Sequence, residues 1–190
     1  MKHLIGNTIA LALWAGLTQV GLLAAAPAGY VDFGKFTPGP GSEFVEVNVN
    51  SNLIAMVTKL AGKAQPEVTQ LLQGLQGIRV NVIGLNDDNR EDIESRVKAI
   101  RAQLDSQGWE RIVTVQEAKE DVGVYLKTRS QEAIEGVVVT VLDGKKEAVL
   151  INVVGDIKPE KLAELGEKFN LPPLKKIGLP LEKAEPKEKE

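Results

Sequence analysis

The chain has no cysteine, so disulfides, thiolate metal sites and cysteine nucleophiles are excluded. Histidine occurs once, as His3. Aromatic residues make up only 4% of the chain, few for the stacked platforms that a glycoside-hydrolysing site usually wants. There is no excess of positive charge either. The formal net charge is −3, whereas nucleic-acid binders carry a basic patch or stripe, so no nucleic acid is expected as a partner. What is present suits one domain with tails: 190 residues, 43% of them hydrophobic and 26% charged, enough apolar material to bury a core.

The first 28 residues read as an export signal. Lys2 and His3 are followed by an uncharged stretch to Ala28, and Ala26-Pro27-Ala28 places small residues at −3 and −1 of a cleavage site before Gly29. An uncleaved membrane anchor is the alternative, since that stretch is long enough to span roughly 30 Å of hydrocarbon. Thr18, Gln19 and several glycines weaken it. The expected location is therefore periplasmic or extracellular, with an N-terminal anchor as the other possibility and no stable membrane span after cleavage. Cleavage removes His3, leaving a mature chain with neither His nor Cys. Ser-His-Asp triads, Cys-His pairs, histidine-ligated zinc and haem are then excluded by inventory. Trp109 becomes the sole tryptophan.

Residues 29–42 carry Pro38-Gly39-Pro40-Gly41 without periodicity and are expected to form an irregular leader. Phe44 to Asn50 alternates, with Val45, Val47 and Val49 on one face of a strand. Ser51 or Asn52 is placed to cap a helix with Leu53, Ile54, Val57, Leu60, Ala61 and Ala64 apolar. Pro66 breaks it and starts a second helical piece with Val68, Leu71, Leu72 and Leu75. Gly77 opens a strand over Ile78–Leu85. Asp88, as cap, and Glu91, at the capping-box position, start a helix striped by Ile93, Val97, Ile100 and Leu104, which Gly108 ends. Four strand-like runs follow, Arg111–Gln116, Val122–Thr128, Ile134–Leu142 and Glu147–Val154. They form a meander whose last hairpin turns at Asp143-Gly144. Pro159 opens a closing helix bearing Leu162, Leu165 and Phe169, and residues 171–190 form a disordered Pro/Lys/Glu tail.

The stretch Val124 to Leu165, with VYLK, IEGVVVTV, a short polar turn and EAVLINVVGDI before a helix with KL, resembles the DUF4252 family of small bacterial envelope proteins, usually made with an export signal. The earlier half is also similar from about Phe44 onward. Many members are lipoproteins, but this chain lacks the cysteine that would carry the lipid. The family has no assigned catalytic residues, so the resemblance implies none here.

Candidate sites are few. Asn86-Asp87-Asp88-Asn89-Arg90-Glu91-Asp92 is dense in oxygen ligands, but Arg90 stands at a ligand place and no glycine follows, so a helix-capping loop explains it better than calcium. Ser95-Arg96-Val97-Lys98 matches the S-x-x-K acyl-enzyme pattern without its partner motifs. Glu132 and Glu135 flank Ile134 at a strand entrance, where solvated surface acids are the ordinary reading. Gly155-Asp156 ends a strand where it is able to line a site, though such a pair more often turns the chain and caps the next helix. Tyr125 and Trp109 are expected to be packing anchors.

The expected fold is α/β (α+β): a two-layer sandwich over residues 43–170, β-α-β-α with a right-handed βαβ crossover, then an antiparallel β-meander and a C-terminal helix. With a two- or four-residue hairpin loop, Val137, Val139, Val141, Ala148 and Leu150 share the core face of the sheet. Val138, Thr140, Leu142, Glu147, Val149, Ile151 and Val153 share the other, which is the expected interaction face. The expected function is a non-enzymatic exported envelope protein, without cofactor or metal, that binds an envelope protein or another copy of itself through the sheet. The alternative is a carboxylate-dependent hydrolase of an envelope polymer. Several acids converging on a pocket would favour the hydrolase, and an open apolar face the binder.

Overall fold

The computed structural model describes residues 26–37, 41–62, 64–117, 120–130, 133–144, 146–159, 161–162 and 164. In chain order the elements are β1 (Phe44–Asn50), α1 (Ser51–Ala61), α2 (Pro66–Leu72), β2 (Leu75–Gly84), α3 (Arg90–Ser106), β3 (Glu110–Gln116), β4 (Glu120–Ser130), β5 (Ala133–Asp143) and β6 (Glu147–Ile157). The fold is α+β. All six strands join one sheet in the order β1-β2-β6-β5-β4-β3, and β3 to β6 form the expected antiparallel meander.

The expected βαβ crossover is corrected, because β1 and β2 are antiparallel neighbours. Pro66 at the first position of α2 splits the connection into two short helices. Two helical legs return the chain to the end of the sheet where it left, and the next strand then runs backwards beside the first. The crossover lies one step later. Every neighbouring pair is antiparallel, so β2 and β3 run the same way at separate places in the sheet, and α3 crosses between them.

The two-layer expectation is corrected as well, since helices pack on both faces. On one face, Ile93, Val97, Ile100 and Leu104 of α3 are buried with Ile83, Tyr125, Val138, Leu142, Ala148 and Leu150. This is the stripe read from the sequence. On the other, Ile54 of α1 and Leu71 of α2 join Val122, Val124, Val137, Val139, Ile151 and Val153. A sheet buried on both faces reads as continuous aliphatic runs, and GVVVTVL and AVLINVV are of that kind.

The leader is irregular, as expected, but it belongs to the core. Val31, Phe33 and Phe36 are buried beside α3. Buried Asn152 accepts from the Val31 backbone N–H at 3.0 Å and donates to the Gly29 carbonyl at 2.9 Å. The packed unit thus starts near Gly29 rather than at residue 43.

Local signals acted through neighbours of the expected residues. Asn50, not Ser51 or Asn52, caps α1, accepting from the Leu53 N–H. Asn86 and Asn89 rather than Asp88 organise the approach to α3: Asn86 Oδ1 accepts from the Asp88 and Asn89 amides, and Asn89 Oδ1 accepts from the Asn86 amide. β2 begins at Leu75, two residues before Gly77. Lys161, Leu162 and Glu164 are helical and Leu162 is buried. Leu165, Phe169 and the tail lie outside the described residues, as do residues 1–25 of the expected signal. Among the described residues no helix is long and apolar enough to cross a membrane.

Candidate functional site

Helix α1 carries its apolar residues on the wrong side for a core helix. Ile54 is its one buried residue. Leu53, Met56, Val57 and Leu60, spaced i, i+3, i+4, i+7, form a second stripe that faces out, with Met56 52% and Leu60 77% exposed. The helix directly follows β1 and touches both β1 and β2. Val45 and Val47, on the same side of the sheet as buried Ile151 and Val153, are exposed too. Between α1 and α2, Val57, Leu60, Ala61, Ala64, Gln65 and Val68 line an open groove of about 300 Å³. Lys59 is the only charged residue of α1. An uncovered stripe at helical spacing is the form taken by helix-in-groove and helix-pair contacts.

The register divides the expected interaction face. Asp143 pairs with Glu147, so the loop is Gly144-Lys145-Lys146, three residues rather than two or four. An odd loop inverts the parity on which the sharing of faces rests. Val138 pairs with Asn152, Thr140 with Leu150 and Leu142 with Ala148, all under α3; Val137 pairs with Val153, Val139 with Ile151 and Val141 with Val149 on the α1 side. Val138, Thr140, Leu142, Ile151 and Val153 are buried, Val149 is half-buried and Glu147 is exposed. Both faces are core near their centre, and among the described residues most of the exposed large apolar side chains lie on α1 and β1.

Two cavities meet at the end of β6. One of about 520 Å³ is bounded by α2, Gly74, Asp156, Lys158 and Lys161. Among the described residues its lining offers a single carboxylate, Asp156. A smaller one of about 180 Å³ is lined by Gly29, Arg129, Glu135 and Asp156 among others. Asp156 and Glu135 both line this cavity, and Arg129 stands between them, 3.8 Å from Glu135 and 3.6 Å from Asp156. A glycosidase pair needs free carboxylates across a sugar, and these two share a guanidinium. Glu132 lies outside the described residues.

The remaining candidates line neither of these cavities. Ser95 and Lys98 are exposed in the middle of α3. Among the described residues no group of three or more acids or histidines is placed to hold a metal. The side chains of Asn86 and Asn89 are spent on their own loop. Chelation with EDTA is expected to leave the melting temperature within about 1 °C of its starting value, checked by differential scanning fluorimetry with and without calcium.

Buried polar groups under α3 were less legible. Arg101 pairs with Asp121 at 2.8 Å and donates to the Thr140 hydroxyl at 3.0 Å. Tyr125 is fully buried, as expected of an anchor, and the Arg111 guanidinium lies 5.0 Å from its ring centroid. Burial pushes the Tyr125 phenol above its ordinary value, opposed by the Arg111 and Arg101 charges. The folded protein therefore holds that proton to a higher pH than the unfolded chain does, and the stability this supplies is lost as pH rises above about 10. Urea titrations at about pH 9 and 11 should show the loss, and Tyr125→Phe should reduce it. Asn152 was missed altogether; its signal was a lone amide inside an aliphatic run, and buried amides need partners.

The model of a family described as a domain of unknown function, DUF4252, matches residues 41–165. Comparison with curated proteins and with solved structures gave no match.

Proposed function

The chain belongs to the DUF4252 family, and from that premise we propose that it is an exported, non-enzymatic envelope protein, periplasmic or extracellular, that binds a protein through the apolar surface of α1 and β1. The bound protein is an envelope partner or a second copy of the chain. The observation that carries this reading is the outward stripe of Leu53, Met56, Val57 and Leu60 beside exposed Val45 and Val47. Large apolar side chains exposed together along one helix face are of the kind that mark interaction sites. The hydrolase alternative lacks comparable support, because among the described residues the larger cavity has one carboxylate and the smaller holds its two on Arg129.

The test is Met56→Glu with Leu60→Glu. Both side chains are more than half exposed, so stability should change by no more than about 0.5 kcal/mol per site. Circular dichroism and melting should match the parent, while light scattering or recovery with the native partner should show association lost. Association unchanged in the folded double variant would reject the surface.

A further inference from the structure

β1 closes one end of the sheet and β3 the other, and the two edges are built differently. The β3 ladder is broken by a register shift between Arg111 and Val113, and the strand opens with Glu110 and Arg111. A bulge and charges are devices that keep an edge from pairing further. β1 lacks the bulge and is nearly uncharged. Its residues Phe44 to Asn50 pair with β2 in unbroken register, and FVEVNVN holds no proline or lysine and one charge, Glu46.

The phase of the open edge follows from one hydrogen bond. The Gly84 N–H donates to the Glu43 carbonyl at 2.8 Å, and in an antiparallel ladder successive residues turn their backbone groups to opposite sides. Val45, Val47 and Val49 therefore turn theirs to β2, and Phe44, Glu46 and Asn48 turn theirs to the open edge. The side chains alternate too. The three valines lie on the α1 side; Phe44 packs on the α3 side, where Glu46 lies 3.9 Å from Arg79.

We propose that this edge pairs with the same edge of a second copy, antiparallel about a two-fold axis at Val47, so that two six-stranded sheets become one. The strand is self-complementary about that residue. On the α1 side Val47 meets its own copy and Val45 meets Val49. On the other side Glu46 meets Asn48, whose amide donors suit a carboxylate, and Phe44 meets Asn50. An axis at Glu46 sets two carboxylates opposite each other, which is destabilising. An axis at Asn48 leaves Phe44 and Val45 opposite the start of α1, which has no strand edge to offer. A two-fold axis perpendicular to the sheet keeps each face on its own side, so the exposed α1 stripes of both copies lie on the side of the joined valines. The pairing rests on the reading of α1 and β1 as the binding surface, and it names the occupant.

Because the chain has no cysteine, Val47→Cys tests the axis directly. Val47 and its copy form a non-hydrogen-bonded pair with Cα atoms about 4.5 Å apart, within disulfide reach. Under mild oxidation, this variant purified from the native host should give a linked dimer at least about tenfold faster than Val45→Cys, whose copy lies four residues along the strand, roughly 13 Å away. Asn48→Pro removes an N–H from the open edge and none from the β1–β2 ladder. It should keep the parent's circular dichroism and convert the dimer to monomer in light scattering. A wild-type protein that stays monomeric, no linkage at Val47, or a folded Asn48→Pro chain that still dimerises would overturn the pairing. If photo-probes at Met56 and Leu60 then still capture a different protein in the host, the binding surface stands without the second copy; if they capture nothing, both readings fail.

Discussion

Val138→Asp is expected to abolish folding. Val138 is 0% exposed, packed with the α3 stripe in the core on that side of the sheet. It is flanked in register by Tyr125 and Asn152. A carboxylate there loses its water without gaining a dedicated cation. Burying an unpaired charge is among the few single changes that cost about 4 kcal/mol or more, comparable to the total stability of many domains, about 5–15 kcal/mol. Circular dichroism should show lost structure, or the chain should not be recovered soluble. Val149→Asp makes a useful contrast. Val149 is half-buried on the opposite face, so its aspartate can reach water and the expected cost is about 1–2 kcal/mol. Equal effects would mean that the register across the β5–β6 hairpin is other than described.

Gly155→Ala should cost about 3 kcal/mol. Gly155 has a φ of 152°, a conformation that side-chain-bearing residues rarely adopt. An added Cβ would also lie 2.3 Å from the Gly74 carbonyl oxygen and 2.6 Å from the Leu75 Cα. Gly74, with a φ of 92°, faces the same approach from the other side, where the Asp156 N–H donates to its carbonyl at 2.9 Å. Neither backbone can retreat without breaking the start of β2 from the end of β6. Backbone strain and forced overlap each contribute on the order of 1–3 kcal/mol. Urea unfolding should show a lower midpoint with an unchanged slope; a shift below about 1 kcal/mol would show that the two strands part easily here.

Periodicity was the reliable guide in this sequence, and parity was not. The α3 stripe, the β1 limits and the meander follow from patterns of 3.6 and 2 that burial enforces on every residue of an element. The pairing of β5 with β6 depended on whether three residues or an even number turned the hairpin, which no alternation inside either strand records. Inverting that parity moved Val149, Ile151 and Val153 to the face opposite Val138, Thr140 and Leu142. The antiparallel β1–β2 pair was hidden for a related reason, since Pro66 marks a break in a helix but not the direction in which the next leg runs.

The candidate surface was half legible. Leu53, Val57 and Leu60 were visible as apolar positions of α1, and nothing in one chain's sequence tells an inward stripe from an outward one. The helix has two apolar stripes, and the sheet takes the one through Ile54. The leader was underestimated because Val31 and Phe33 give only one step of alternation before Gly34, while the residue that holds them, Asn152, is about 120 positions away in the chain. Asn152 and Gly29 identify each other only in three dimensions.

On the proposed function, the outward face of α1 is occupied by protein in the cell envelope. Site-specific photo-crosslinking in the native host tests it most directly, with the probe at Met56 or Leu60 and control probes at Lys98 and Ala102, which are exposed on α3. Discrete protein adducts are expected at positions 56 and 60, to a partner or to a second copy, and none at the α3 positions. Absence of adducts at 56 and 60, or the same adducts from α3, would contradict it.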